Sequence, residues 1–224
     1  MTRKTNSRIA GFTFLFYIAV GISSMIVSRG ATAGEGVAAK LASMAQHANA
    51  VHVNIVLTLL EAFSAIVLAV TLYALTRDED PDLAMLGMSC RLVEGVIGAT
   101  AVQSSLGLLW LATAPQAQAP NPATGQGIGA FLFWGQGGAT LPAIFFAVGS
   151  TLFSWLFLRG RMIPVWLAWL GVLASVLLVV TLPLQLADIP VTGLIWLPAA
   201  VFEITFAFWL LIKGAAPPAR SRPA

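Results

Sequence analysis

The chain has 224 residues, 58% hydrophobic and only 9% charged, with a mean hydropathy of +0.87. A soluble domain carries about 25% charged residues, so this composition excludes a water-soluble globular protein. The net charge of +3 sits in short flanks beside apolar runs, where it orients helices on lipid and offers no nucleic-acid face. The single cysteine, Cys90, excludes an internal disulfide and a thiol-only metal site.

Six apolar segments approach the roughly 20 residues that cross a bilayer. In chain order they run 9–27, 51–75, 84–112, 129–158, 162–186 and 191–213. The first follows Arg3, Lys4 and Arg8. Its basic start and the later Ala31-Thr32-Ala33 resemble a signal peptide with its cleavage site, but the run is long for a signal core and Arg29 interrupts the approach. A retained first span is therefore expected; cleavage would leave five.

Between the first two spans, Val37, Leu41 and Met44 recur at helical spacing around Lys40. That pattern suits a short amphipathic helix over 34–48 on the outer face, either a connector or a lid. A Pro/Gln/Asn/Gly stretch, 113–128, precedes the fourth span, and Asp188 before Pro190 is placed to cap the last. From Gly214 onward the prolines forbid helix, and 214–224 reads as a disordered tail.

With an even helix count, Arg77, Arg159, Arg161, Lys213, Arg220 and Arg222 fall on the side of the N-terminus, the cytoplasm. The expected fold is all-α: one polytopic six-helix transmembrane domain over 1–213, both termini cytoplasmic, in the inner (plasma) membrane.

Four ionisable residues interrupt the spans: Glu61, Arg91, Glu94 and Glu203. A charge at the bilayer centre costs about 2.5–3.5 kcal/mol, so such residues generally face an interior site. Counting 1.5 Å per residue brings the three carboxylates near one depth, with Tyr17 at a similar level. Asn54, Thr58, Glu61 and Ser64 form one polar stripe; Gln136, Thr140, Ala143, Ala147, Ser150 and Ser154 form a small, weakly polar one. Pro198, inside the last span, should free a carbonyl near Glu203.

Three carboxylates face one guanidinium, so at least one Glu should be protonated or bind a cation. Arg91 should pair with Glu61 or Glu94, leaving Glu203 as the candidate protonated acid. The candidate binding set is Glu61, Arg91, Glu94, Glu203, Tyr17, Asn54, Thr58 and Gln136. The same polar groups could instead only hold the bundle together.

Other signals carry less. Gly125-Gln126-Gly127-Ile128-Gly129 follows no strand, and His47 and His52 do not share a helical face, so neither a nucleotide loop nor a metal site is implied. No cofactor motif is present. Asp78, Glu79, Asp80 and Asp82 read as a solvated acidic turn.

Arg8-Ile9-Ala10-Gly11, Cys90-Arg91-Leu92-Val93-Glu94-Gly95-Val96-Ile97 and the ending from Phe202-Glu203 to Lys213-Gly214 resemble the domain of unknown function 4386 family. The resemblance implies a bacterial six-helix membrane protein with Arg91, Glu94 and Glu203 at the family's polar positions. It brings no activity.

Three functions are compatible with these residues. The first is a structural or partner-binding membrane protein. The second is a permease-like protein binding a small apolar molecule, a proton or a cation, for which six helices would call for a homo-oligomer. The third is a membrane-embedded enzyme using Glu203 or Glu94 as a protonated acid on a lipid or isoprenoid, with Phe131, Phe133, Phe145 and Phe146 available to stabilise a carbocation.

Overall fold

The computed structural model describes residues 1–224 apart from Gln116, Ala117, Gly138, Ala139, Asp188 and 220–224, and apart from the side chains of Gln136 and Gly137. The Asp188 cap and the end of the tail therefore lie outside the described residues. Eight helices occupy the rest: α1 (Arg3–Ala31), α2 (Gly36–Gln46), α3 (Ala48–Thr76), α4 (Pro81–Thr113), α5 (Pro122–Gly137), α6 (Thr140–Arg159), α7 (Val165–Leu186) and α8 (Trp196–Ile212). A 3₁₀ turn, Gly193–Ile195, leads into α8, and the described residues contain no strand. Six stretches are long and apolar enough to cross a membrane, with Pro122–Arg159 counting as one. The all-α, multi-pass class follows.

Two helix starts and the effect of Pro198 differ from the sequence expectation for local reasons. Helix α5 starts at Pro122, well before residue 129, because Asn121 Oδ1 accepts the Thr124 N–H at 2.9 Å and Pro122 sits where a missing N–H costs nothing. Asp80 and Pro81 start α4 in the same way, the Leu83 N–H donating to Asp80 Oδ1 at 3.2 Å. Pro198 falls in the first turn of α8, so it breaks no internal hydrogen bond and frees no carbonyl beside Glu203.

The chain divides into two compact units. Unit 1 comprises Met1–Tyr17, Phe63–Gly95 and Thr140–Ala224. Its core is aromatic: Phe206 stacks on Phe202 at 5.2 Å and meets Phe157 and Phe14 edge-on at 5.1 and 5.6 Å. Gly171 on α7 makes this packing tight, since a Cβ there would stand 2.5 Å from the Phe202 ring and 2.6 Å from Ser154 Oγ. Unit 2 comprises Ile18–Ala62 and Val96–Ala139. There the expected short helix is α2, whose buried Met44 joins Val51, Leu108 and Leu109, while Gly129 of α5 lets Val37 approach.

The segment after α8 also departs from expectation. Gly214, at φ +76, closes the helix with its N–H on the Trp209 carbonyl. Ala215 then donates to Ser7 Oγ, Ala216 to the Met162 carbonyl and Ala219 to the Gly160 carbonyl. Arg3 holds the same segment, its Nε donating to the Ala216 carbonyl at 3.1 Å. Residues 215–219 are thus tied down where disorder was expected. These bonds also explain why α1 begins at Arg3, as its polar first turns have partners.

The acidic turn is likewise more than a solvated face. Glu79 is buried and pairs with Arg159 Nε at 3.1 Å, Asp80 pairs with Arg159 Nη1 at 3.1 Å, and Asp78 pairs with Arg3 at 3.4 Å. Buried charge must be paired to be tolerated.

Candidate functional site

Unit 1 brings together four of the sequence candidates: Tyr17 of α1, Arg91 and Glu94 of α4, and Glu203 of α8. Arg91 and Glu94 are one helical turn apart, and Arg91 Nη1 lies 2.8 Å from Glu94 Oε2. The angle is poor for a hydrogen bond, so the contact acts as an ion pair. On the other oxygen, Glu94 Oε1 accepts the Tyr17 hydroxyl at 2.9 Å. Of the two partners expected for Arg91, the ion pair formed is with Glu94.

Arg91 is 1% exposed, and aromatic rings enclose it. Its Cζ lies 4.9 Å from the Phe146 centroid and 5.6 Å from that of Tyr17, both within cation–π range. Its aliphatic stem fits because α6 carries Gly149. A Cβ there would stand 3.1 and 3.3 Å from Arg91 Cγ and Cδ, and 3.2 Å from the Gly87 carbonyl. Sequence reading passed over Gly149, although it lies between Ala147 and Ser150 of the small-residue stripe. Phe146 was noted only as one of several phenylalanines. Phe131, by contrast, is 67% exposed in unit 2 and stacks on Trp134.

Glu203 completes the group. It is 9% exposed and close enough to Arg91 and Glu94 to interact with both charges. Among the described residues, its Oε1 has no hydrogen-bond partner, and neither do Arg91 Nε and Nη2. Buried polar atoms are normally satisfied, so each exception calls for an explanation. The cluster therefore offers free donors on Arg91, a free acceptor on Glu203, and two carboxylates against one guanidinium.

The remaining candidates lie elsewhere. Glu61, Asn54 and Thr58 belong to unit 2, and Ser64 to unit 1. Glu61 is half-buried beside Gly21, where a Cβ would stand 3.2 Å from its Oε1. Asn54 Oδ1 accepts the Ser24 hydroxyl at 2.8 Å, and the Thr58 hydroxyl turns back to the Asn54 carbonyl. Ser24 was missed in the sequence, where a lone serine in an apolar run gives no signal. Gln136 lies in α5 with its side chain outside the described residues. Thr140 bonds Gln185 at 3.3 Å.

A family model described as Domain of unknown function (DUF4386) matches residues 9–214. No curated protein and no solved structure matches the chain.

Proposed function

The chain belongs to the DUF4386 family, and from that premise we propose that unit 1 is the binding site of a permease-like membrane protein. Its ligand is a hydrated proton or a hydrated monovalent cation. The observation that carries this reading is the coexistence, in one buried cluster, of unpartnered Arg91 donors and an unpartnered Glu203 oxygen. Water can accept from Arg91, a positive charge can sit on Glu203, and the ligand then balances the excess carboxylate. Arg91, Glu94 and Tyr17 form the fixed frame; Glu203 is the exchanging group. The basic flanks support cytoplasmic termini and a plasma-membrane location.

A second reading has its own support. The triad of Arg91, Glu94 and Tyr17 is enclosed by aromatic rings, the arrangement of a structural clamp in a partner-binding protein.

The experiment is a thermal-stability series on purified protein in lipid nanodiscs. Sodium, potassium and lithium are each exchanged against choline at constant ionic strength, and pH is varied separately. A ligand that binds only the folded state raises the midpoint as its concentration rises. Response to one of the cations, or to pH, that disappears in Glu203→Gln supports the site and distinguishes metal ion from proton. Identical responses in wild type and Glu203→Gln overturn it in favour of the clamp.

A further inference from the structure

We propose that unit 2 contains a hydrated polar seam between α1 and α3, with a binding site for a single water molecule at Asn54. It is separate from the cation site and rests on different residues.

Two polar helix faces meet at two points, Gly21 with Glu61 and Ser24 with Asn54. On α1, Gly21, Ser24 and Ser28 follow at spacings of three or four, with Thr32 in the turn just past its end; on α3, Asn54, Thr58 and Glu61 are spaced likewise. Glu61 meets Gly21, and Ser24 bonds Asn54 at 2.8 Å. Beyond that bond lies a cavity of about 20 Å³ lined by Ser28, Thr32, Asn54 and Ser105 among apolar Ala31, Met44 and Val51. One water needs about 10–15 Å³ and two to four polar partners. The cavity meets both conditions.

The donor and acceptor inventory agrees. Asn54 uses its oxygen on Ser24, leaving the amide N–H₂ to donate. Thr32 gives its proton to the Ser28 carbonyl at 2.8 Å, leaving its oxygen lone pairs to accept. A water in the cavity takes a proton from Asn54 and gives one to Thr32 or Ser28. No anion has a comparable claim, as the lining carries no cation.

Met44 is the built-in reporter, since it lines the cavity and is only 2% exposed. Radiolytic hydroxyl-radical footprinting of the full chain in nanodiscs generates the oxidant from water in place, and a methionine beside water becomes sulfoxide. Met44 is expected to oxidise several-fold faster than Met162, which is 1% exposed. Ser28→Val, which fills the cavity, should bring Met44 down to the Met162 rate. The 47% exposed Met25 should be unchanged, reporting an intact fold. If Ser28→Val misfolds, Asn54→Leu makes the same test by removing the donor. Met44 no faster than Met162 in wild type, or unmoved by the substitution in a folded variant, overturns the proposal.

Discussion

Both units place carboxylates inside membrane-spanning helices, yet they compensate them differently. In unit 1 Glu94 faces a guanidinium at 2.8 Å, with a tyrosine hydroxyl on its other oxygen and aromatic rings around the cation. In unit 2 Glu61 is half-buried, lies against Gly21, and follows Asn54 and Thr58 along one face of α3. The first arrangement depends on one opposing charge held by packing. The second leaves the carboxylate half-buried beside a glycine, with no ion pair to it among the described residues. A fully buried carboxylate that depends on one opposing charge should be brittle, and a half-buried one without an ion pair tolerant.

Substitutions that break this contrast can be ordered by size. In a protein of this length, 1 kcal/mol corresponds to about 2–4 °C in the thermal midpoint. Arg91→Leu strands Glu94 without its cation and should cost about 3–5 kcal/mol, read as a fall in that midpoint. The double variant Arg91→Leu with Glu94→Leu should recover much of the loss; no recovery would mean that aromatic packing on Arg91, and not charge, dominates.

Gly149→Val drives side-chain atoms into the Arg91 stem and the Gly87 carbonyl, and should cost about 1–3 kcal/mol by the same measurement. Tyr17→Phe keeps the ring over Arg91 but removes one hydrogen bond to Glu94, so about 0.5–1.5 kcal/mol is expected. Glu61→Gln should lie within about 0.5 kcal/mol of wild type, because the side chain is half-buried, keeps its size and breaks no ion pair. A loss as large as that of Arg91→Leu would erase the contrast between the units.

Much of the architecture was legible in the sequence because membrane spans advertise themselves through length and hydropathy. The N-terminal boundary of α5 was less visible: the Asn121-Pro122 start signal is embedded in a Gly- and Gln-rich stretch that reads as loop. The tail misled for a related reason. Proline content excludes helix, but it does not exclude an extended segment whose N–H groups donate to the Ser7 hydroxyl and to the Met162 and Gly160 carbonyls. Within unit 1, the sequence listed Tyr17, Arg91, Glu94 and Glu203 but left the Arg91 partner open between two glutamates.

By itself the sequence determined the helical, multi-pass class, the number of spans and the residue types that carry charge within them. Those properties depend on local composition and on the bilayer thickness, and no tertiary contact is needed to read them. The tertiary structure alone decided that Arg91 pairs with Glu94, that Gly149 and Phe146 make its niche, and that Glu61 lies in the other unit. Pairing depends on which helix faces meet, and that is settled by the fit of glycine notches to side-chain stems many residues apart.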